Sequence, residues 1–489
     1  MLDAIPPGNP LSGDEFDELE LPLRMDLLAA QQSLAAANRA TILIIAGVDG
    51  AGKGALAQRL CEWMDPRGIE TNTFWERSDE EDSRPYFWRF WRRLPPRGEI
   101  GIFLGSWYTR LGRKAMSGEL TDGEFAEGCQ RIWEFERMLA EDGAIIIKLW
   151  LQVGRDARRQ QLQERAGKQQ NPRVTDRPYE LQGDYDLSQN IASEMIQRTN
   201  SLYASWHLLD AEDKRYRDIT AGRVVAGAMQ RHELSVVGNQ IDHAVEKPST
   251  PSSLADVDLS RVLAKDDYKD QLSKWQRRLQ DLAWQRYREG RSLIAVFEGW
   301  DAAGKGSSLR RVTNAVDPRL YHLARYAAPS DEELKYHYLW RFWRHIQRDG
   351  RFTLFDRSWY GRVLVERVEG FAAENEWQRA YYEIAEFERQ LLDNESTLCK
   401  FWIHISKDEQ LKRFQEREST PHKRYKITQD DWRNREKWSD YETAVNDMLA
   451  ATSTRAAPWT LIAGNDKRYA RIQILKTLCQ AMADDSNEG

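Results

Sequence analysis

Short apolar runs alternate with longer stretches of mixed polarity along the second half of the chain. The apolar runs predict strands at 293–297, 321–326, 352–356, 398–405 and 459–463. Between them, apolar residues recur at helical spacing and predict helices, notably over 331–346, 374–393 and 407–417. One more amphipathic helix precedes the first strand, with apolar positions at Leu272, Trp275, Leu279 and Leu282. This alternation predicts an α/β fold, in which a parallel sheet is covered by helices on both faces.

The first half of the chain repeats this pattern at a nearly constant offset. Its apolar runs predict strands near 42–46, 72–75, 100–104, 144–150 and 206–209. Identical blocks recur 252 positions apart, such as Trp-Arg-Phe-Trp at 88–91 and 340–343, or Ser-Trp-Tyr at 106–108 and 358–360. Near the end of each half the offset slips by one residue. A repeat of this length is a whole domain, so the sequence predicts a tandem duplication of two similar domains.

The length of 489 residues allows two cores of ordinary domain size. We predict domains at 1–235 and 257–489, joined by a linker at 236–256. The stretch of lowest complexity, Glu-Lys-Pro-Ser-Thr-Pro-Ser-Ser at 246–253, lies in this region.

Composition narrows the functional classes. The formal net charge of -6 gives no overall signal for nucleic-acid or membrane binding. The four cysteines have no metal-type spacing, and such sparse cysteines suggest a reducing compartment. No apolar stretch approaches the roughly 18 residues of a membrane span, and the N-terminus lacks a basic region followed by an apolar run. We therefore expect a cytoplasmic protein with no nucleic-acid or membrane partner; a homo-oligomer stays open.

The segment 299–306, Gly-Trp-Asp-Ala-Ala-Gly-Lys-Gly, follows the strand 293–297 and leads into a helix. A Gly-rich turn between a strand and a helix presents backbone N–H groups to phosphate oxygens, and a lysine adds positive charge. We predict a phosphate-binding loop with Lys305 as its cation, formed by Gly299, Ala302, Ala303, Gly304, Gly306 and Ser307. Gly306 stands where such loops usually carry a metal-binding hydroxyl, so Asp301 is the candidate metal ligand. The alternative is an ordinary Gly-rich turn, but the loop recurs at 47–54.

A second acidic site follows the strand 352–356. Asp356 ends this strand and Arg357 comes next. A carboxylate at a strand end beside a phosphate loop can hold Mg²⁺, and an adjacent arginine can neutralise a phosphoryl group. The alternative is a strand-end aspartate that caps the next turn. In the first half the equivalent positions are Leu104 and Gly105, so a metal ligand and a cation are lost together.

Other site positions also differ between the halves. Glu366 is matched by Lys114, whereas the loop residues Asp49 and Lys53 persist in the first half. The first loop therefore keeps the means to bind an anion, but we expect it to catalyse poorly. The second half is predicted to be the catalytic one.

The segment 412–426 carries six Lys or Arg against two Glu. In kinases with a phosphate loop, a basic segment after a late strand often forms a lid that closes over the phosphates. The alternative is a solvated helix face with i,i+4 ion pairs. In the first half, Gln161 replaces Arg413, while Gln170 and Asn171 face Lys423 and Arg424, so that lid is weakened as well.

Together, three sequence motifs resemble the polyphosphate kinase 2 family. They are the loop at 299–306, Phe-Asp-Arg-Ser-Trp-Tyr at 355–360, and Trp-Thr-Leu-Ile at 459–462 with Asn-Asp-Lys at 465–467. The tandem layout resembles the two-domain class, whose members are polyphosphate:AMP phosphotransferases, and the resemblance covers nearly the whole chain. It implies duplicated P-loop kinase domains of the thymidylate-kinase type, each with a helical lid. It also implies Mg²⁺-assisted transfer of the terminal phosphoryl group of inorganic polyphosphate to AMP, giving ADP.

The family pattern assigns roles to residues of the second half. Asp301 and Asp356 would hold Mg²⁺, Lys305 would contact the phosphates, and Arg357 would grip the anionic chain. The predicted phosphate-binding set is completed by further cations, namely Arg362, Arg413, Arg417, Lys423 and Arg424. The first half departs from the pattern at Leu104 and Gly105, so no catalytic role is carried onto it.

This chemistry requires no catalytic histidine or cysteine. The acceptor oxygen of AMP is already ionised at neutral pH, so alignment and charge neutralisation suffice. Four histidines of the second half are expected to be structural or surface residues, namely His337, His345, His404 and His422. Two alternatives stay open: an ATP-dependent nucleotide kinase, and a regulatory protein that binds polyphosphate or nucleotide without turnover.

Overall fold

The structure, a computed structural model, describes Leu2, Ile5 and residues 8–160, 185–230 and 253–484. It divides into two compact units. The first contains the described residues within Met1–Ser78, Arg89–Gln240 and Lys335–His337, and the second those within Asp79–Trp88, Ile241–Leu334 and Tyr338–Gly489. The predicted boundaries at 235 and 257 stay a prediction, because most of the predicted linker, at 236–252, lies outside the described residues. No helix of the described residues is both long enough and apolar enough to cross a membrane.

The first half contains a five-stranded parallel sheet and its helices. The strands are β1 (Thr41–Gly47), β2 (Ile69–Thr73), β3 (Ile100–Leu104), β4 (Ile145–Gln152) and β5 (Trp206–Asp210). The helices are α1 (Gly13–Ala36), α2 (Lys53–Trp63), α3 (Asp79–Asp82), α4 (Trp88–Trp91), α5 (Trp107–Met116), α6 (Asp122–Glu141), α7 (Tyr185–Thr199) and α8 (Lys214–Gln230). Residues 155–160 are also helical, up to the edge of the described range.

The second half has the same organisation. Its strands are β6 (Leu293–Gly299), β7 (Tyr321–Arg325), β8 (Phe352–Asp356), β9 (Thr397–His404) and β10 (Trp459–Ala463). Its helices are α9 (Lys265–Glu289), α10 (Lys305–Thr313), α11 (Trp340–Trp343), α12 (Val365–Val368), α13 (Glu374–Leu392), α14 (Lys407–Ser419), α15 (Gln429–Glu436), α16 (Trp438–Thr452) and α17 (Lys467–Asp484). Short 3₁₀ turns include Trp359–Arg362 and Pro421–Lys426.

The two sheets have the same strand order, which confirms the predicted α/β fold and the duplication. The orders are β2-β3-β1-β4-β5 and, in reverse, β10-β9-β6-β8-β7. The central strands β1 and β6 each pair in parallel with a neighbour on both sides. In open parallel sheets, ligands bind at the carboxyl ends of the strands where the connections diverge to opposite sides. The two phosphate-type loops follow β1 and β6, at this point of each sheet.

Two elements differ from the prediction. The helix predicted over 331–346 was wrong: only the 3₁₀ turn Glu333–Lys335 and the short α11 form there. The predicted helix has buried residues in its C-terminal part, whereas Leu334 in its N-terminal part is 59 % exposed and offers no buried face to hold a helix. Strand β2 lies about three residues before the predicted 72–75, because Phe74 is buried beyond the strand end rather than within it.

A buried ion pair recurs at the same place in both halves. Its members are Lys148, Glu136 and Tyr108 in the first half, and Lys400, Glu388 and Tyr360 in the second. The Lys Nζ–Glu Oε2 distances are 2.6 and 2.7 Å, and both tyrosine hydroxyls donate to Glu Oε1 at 2.6 Å. Each lysine also donates to a backbone carbonyl, of Thr199 or Thr452. The network joins the central sheet to the segment after β3 or β8.

Candidate active site

The loop after β6 is shaped by three residues with positive φ. They are Gly299 (145°), Ala302 (62°) and Gly304 (116°), and Gly304 is the N-cap of α10. A Cβ at Gly299 would lie 2.5 Å from the carbonyl oxygen of Ile403 in β9, so this position has room only for glycine. Left-handed backbone at Ala302 costs roughly 1–2 kcal/mol, which the surrounding loop must offset. The left-handed turns give the loop the compact form of a phosphate cradle at the start of α10.

The ammonium group of Lys305 lies across this loop. Its Nζ donates to the carbonyl oxygens of Gly299 and Trp300, the latter at 3.2 Å. Burial lowers the pKa of Lys305, and the nearby Asp301 carboxylate opposes that effect. A lysine held by weak carbonyl acceptors can exchange them for phosphate oxygens, which interact more strongly with a cation.

Asp301 lies within the loop and has two partners. Its Oδ1 accepts from Nη2 of Arg357 at 3.3 Å, and its Oδ2 accepts from Nδ2 of Asn434 at 2.9 Å. Arg357 has φ of 65°, and its amide donates to the carbonyl oxygen of Phe297 at 3.3 Å, which draws the end of β8 against β6. The structure thus brings the two predicted residues Asp301 and Arg357 together.

Asp356 ends β8 beside this pair. It is in register with Phe297 of β6 and with Arg325 of β7. Its Oδ2 lies 3.8 Å from Nε of Arg325, and its side chain is 22 % exposed. This long contact leaves the carboxylate able to accept another ligand at the edge of the sheet.

The two aspartates would supply only some of the oxygen ligands that a hard divalent cation needs. The described residues include no group of three or more His, Cys, Asp or Glu side chains that could hold an ion. An ion here would take most of its ligands from phosphate oxygens and water, as Mg²⁺ commonly does. Asp356 could accept it directly, whereas Asp301 would first have to release Arg357 and Asn434.

The structure assigns Arg413 a different role from the predicted one. Its guanidinium is 2 % exposed and donates to the carbonyl oxygens of Ala302 and Ala303 at 3.0 and 2.9 Å. It also donates to the carbonyl oxygens of Gly464 and Asn465 and to Glu409. Because these contacts occupy the guanidinium, Arg413 holds the loop from behind rather than gripping phosphate. From sequence, a buried arginine cannot be distinguished from the surface cations around it.

The other predicted phosphate-binding cations have different surroundings. Arg362 is 17 % exposed, with Nε 3.1 Å from Glu366, and its guanidinium lies over the ring of Tyr338. Arg417 is half-buried, and Arg424 is exposed with Nε donating to the carbonyl oxygen of Glu418. The side chain of Lys423 lies outside the described part of the structure. Their roles in phosphate binding stay predictions.

The remaining loop positions differ in surroundings. Gly306 is exposed, and a Cβ there would meet no atom within 4 Å, so space remains open above the first turn of α10. Ser307 donates through Oγ to the carbonyl oxygen of Gly304 at 2.9 Å.

Glu298 is a site residue that sequence reasoning missed. Its side chain is buried, and its Oε1 accepts from Oγ of Ser358 at 2.9 Å. Burial raises the pKa of Glu298, although the nearby charge of Lys305 opposes the shift. The bond links the start of the loop to the segment that carries Asp356. The equivalent residue of the first half is Ala46, and this difference between the halves was the sequence signal that could have indicated a role for Glu298.

Glu298→Gln is expected to stabilise the protein at neutral pH. Because burial raises the pKa of Glu298, its folded form binds more protons than its unfolded form above the ordinary value of 4.5. The contribution of this group to stability is complete below that value and is lost as the pH rises through the raised pKa. Glutamine has nearly the same shape as glutamate and keeps an oxygen that can accept the hydrogen bond from Ser358. The Tm of the variant relative to the unaltered protein should therefore increase as the pH rises above 4.5 through the raised pKa of Glu298, and a difference independent of pH would contradict this.

Residues of α14 to α16 were also missed. Trp438 stacks on Trp300 of the loop, with ring centroids 3.8 Å apart and an interplanar angle of 10°. Asn434 of α15 holds Asp301, and Gln410 of α14 donates to the backbone carbonyl of Asp301 at 3.1 Å. The helices after β9 therefore cover the loop and contact its aspartate directly.

In the corresponding loop of the first unit, the lysine and a backbone carbonyl are already in contact with other residues of the same unit. Lys53 lies 3.4 Å from Asp49, and Arg217 donates to the carbonyl oxygen of Ala51 at 3.2 Å. A Cβ on Gly52 would clash with Nη1 of Arg217.

Gly105 has φ of 73°, close to the 65° of Arg357, so the backbone has the same form at the position where glycine replaces the arginine. A Cβ at Gly105 would lie only 2.7 Å from the carbonyl oxygen of Phe74. The predicted lid differences at 161–171 lie outside the described residues.

Comparison with known proteins gives one consistent result. The family model described as Polyphosphate kinase 2 matches residues 11–236 and again 262–489. A protein of Pseudomonas aeruginosa called Polyphosphate:AMP phosphotransferase is 43 % identical over 488 residues, which cover 99 % of this chain and 98 % of that protein. A protein of the same name from Acinetobacter johnsonii is 36 % identical and covers 95 % and 97 %. A crystal structure from Pseudomonas aeruginosa, described as a polyphosphate kinase 2, matches with a TM-score of 0.89 and 42 % identity over the full length of both chains.

Proposed function

The chain belongs to the polyphosphate kinase 2 family, and on this premise we propose that it transfers the terminal phosphoryl group of inorganic polyphosphate to AMP, giving ADP. The full-length similarity to polyphosphate:AMP phosphotransferases carries this proposal. We further propose that the second unit performs the reaction. Only there do Asp301, Lys305, Asp356 and Arg357 occur together, since Leu104 and Gly105 replace the last two in the first unit.

The residues of the second unit can perform this transfer by alignment and charge neutralisation. The backbone N–H groups of the loop and the ammonium of Lys305 would hold the donor phosphates. Arg357 would turn from Asp301 towards the phosphoryl group as negative charge develops on it. The acceptor is an ionised phosphate oxygen of AMP, so no side chain has to remove a proton.

Mg²⁺ is part of this proposal. Asp356 would hold it, joined by Asp301 once Arg357 and Asn434 have moved. When bound, Mg²⁺ would neutralise charge on the donor phosphates. The capacity of Asp356 to accept a ligand supports this assignment, because among the described residues its only ion pair is the long one with Arg325, at 3.8 Å.

A matrix of donors and acceptors tests the function. ADP formation would be measured for the full chain with polyphosphate or ATP as donor and with AMP, GMP or ADP as acceptor. We expect polyphosphate with AMP to be used well and ATP poorly. Faster turnover with ATP than with polyphosphate would instead identify an ATP-dependent nucleotide kinase.

Paired lysine variants test which unit is catalytic. Lys305→Ala is expected to reduce kcat by roughly 10²-fold or more, because it removes the cation of the loop that holds the donor. Lys53→Ala, the same change in the first unit, should leave kcat within about twofold, since Lys53 contacts Asp49 in a loop that lacks the second acidic site. Steady-state kinetics with polyphosphate and AMP would measure both. A comparable loss in Lys53→Ala with unchanged Tm would contradict a non-catalytic first unit.

A further inference from the structure

Two histidine rings are in contact at the edge of the second sheet. His322 lies in the edge strand β7, and His345 lies in the turn that follows α11. Nε2 of His322 is 3.0 Å from Nδ1 of His345, the two rings are parallel to within 5°, and both side chains are half-buried. Because a neutral imidazole carries one N–H and one bare nitrogen, one ring can donate a hydrogen bond to the other.

We propose that this pair, the histidine clasp, is an acid-sensitive contact that holds the end of β7 in place for the reaction of the second unit. The clasp is closed when both rings are neutral. When both rings carry a proton, each facing nitrogen is a donor, so the hydrogen bond is lost and two positive charges face each other. The effect on turnover rests on the function proposed above, whereas the effect on stability does not depend on it.

The surroundings of the clasp disfavour positive charge on the rings. The charged groups that face it from the neighbouring segments are Arg84, Glu333, Arg341 and Arg344. Glu333 is already paired with Arg341 at 3.2 Å, and Arg84 donates to the carbonyl oxygen of Ile346 beside His345. From β8, the residue in register with His322 is the uncharged Thr353. Among the described residues that face the clasp, cations therefore outnumber carboxylates, and the carboxylate has its own arginine.

The pKa values of both rings give the direction of the response. Burial lowers the pKa of His322 and of His345, and the charges of His322 and Arg344 lower the pKa of His345 further. Below the ordinary value of 6.5, the folded form therefore binds fewer protons at these rings than the unfolded form. The stability that the neutral pair contributes is complete above 6.5 and is lost as the pH falls through the lowered pKa values. The clasp thus opens on the acid side of neutrality.

Tyr326 connects the clasp to the reacting centre. Its ring meets the ring of His345 at 85°, with centroids 5.7 Å apart. Its amide donates to the carbonyl oxygen of Asp356 at 3.2 Å, and its hydroxyl donates to the carbonyl oxygen of Arg341 at 3.0 Å. Separation of the two histidines would therefore displace the residue that holds the backbone of Asp356 at the end of β8.

The first unit has a pair of fixed charge at the same place. At the offset of 252 positions, His322 and His345 correspond to Glu70 in β2 and to Arg93 after α4. Oε1 of Glu70 lies 3.5 Å from Nη1 of Arg93, so the strand and the turn are joined there as well. A carboxylate and a guanidinium keep opposite charges in the pH range in which histidine titrates. Both units thus have the contact, but only the second has it in an acid-sensitive form.

Exchange of the two pairs tests the clasp in the full-length protein. His322→Glu combined with His345→Arg gives the second unit the ion pair of the first. At about pH 8, kcat of this double variant with polyphosphate and AMP should lie within about twofold of the unaltered protein, because either pair joins the strand to the turn. At about pH 5.5, its kcat should exceed that of the unaltered protein by roughly three- to tenfold. Ionisation of the substrates is common to both proteins, so the ratio of their kcat values reports the clasp.

Thermal unfolding provides a readout that needs no turnover. The Tm of the double variant relative to the unaltered protein should rise by roughly 2–4 °C as the pH falls from about 8 to about 5.5. The proposal is overturned if either the ratio of kcat values or the difference in Tm stays constant over this range. If the double variant melts lower than the unaltered protein at pH 8, His322→Gln carries the same test, since glutamine can hydrogen-bond to His345 but takes up no proton.

The reverse exchange in the first unit, Glu70→His with Arg93→His, is the matched control. It creates a histidine pair far along the chain from Asp356, so kcat relative to the unaltered protein should stay within about twofold at every pH. A fall of its relative kcat at acid pH, equal to the effect expected of the clasp, would overturn the connection through Tyr326. If the unaltered protein uses no polyphosphate at any pH, the proposed function fails, and the comparison of Tm values still decides whether the clasp opens.

Discussion

Asp356→Asn is expected to reduce kcat by roughly 10²–10³-fold while the protein stays folded. The change removes one negative charge and preserves the shape of a residue that no described contact requires for stability. If Asp356 holds the cation that neutralises the donor phosphates, its loss removes several kcal/mol of transition-state stabilisation. Initial rates of ADP formation over a range of Mg²⁺ concentrations would measure the effect, and the apparent affinity for Mg²⁺ should fall with kcat.

Asp49→Asn is the control for this variant, since it changes a loop aspartate in the unit that lacks the second acidic site. We expect its kcat to lie within about twofold of the unaltered protein. Near-normal turnover in Asp356→Asn would remove Asp356 from the proposed metal site. If kcat falls but the dependence of the rate on Mg²⁺ concentration is unaltered, Asp356 only positions other groups and does not hold the ion.

The second large effect concerns stability. Lys400→Met is expected to lower the free energy of unfolding of the second unit by about 3–5 kcal/mol, because it leaves Glu388 buried without its charge partner. Lys400 Nζ lies 2.7 Å from Glu388 and also donates to Tyr360 and to the carbonyl oxygen of Thr452. Urea unfolding of the full chain, followed by a probe in each unit, would resolve the change.

Two further variants show where the effect comes from. Lys148→Met should destabilise the first unit by a similar amount, since its network has nearly the same distances. Lys400→Met combined with Glu388→Leu should recover much of the loss, because no unpaired charge is then left inside. Equal stability of Lys400→Met and the unaltered protein would mean that the buried lysine contributes no net stability.

The sequence predicted those features that depend on periodicity and on local motifs. The five strands of the second half were placed within two residues of their observed ends, because each is a short apolar run bounded by polar residues. The loop at 299–306 was recognisable from its own residues. Asp356 was correctly placed beside it, since neighbouring parallel strands end at the same edge of the sheet.

The missed features depend on contacts between distant parts of the chain. Asn434 reaches Asp301 across 133 positions, and Trp438 stacks on Trp300 from a different helix. No local pattern specifies such pairs. Arg413 lies in a run of cations, so only the fold shows that this one is buried and bound to the loop. Glu298 was visible only as a difference from Ala46, which by itself does not reveal a bond to Ser358.

Gly105 would make the proposed inactivity of the first unit difficult to reverse. Its backbone already has the left-handed form that Arg357 adopts, yet the carbonyl oxygen of Phe74 occupies the space that a Cβ would need. Restoring the arginine would require the backbone after β2 to move, and restoring the aspartate at Leu104 alone would bring back only half of the pair. On the proposed assignment, no single substitution would therefore give the first unit the acidic site of the second, and the two halves are free to differ in what they bind.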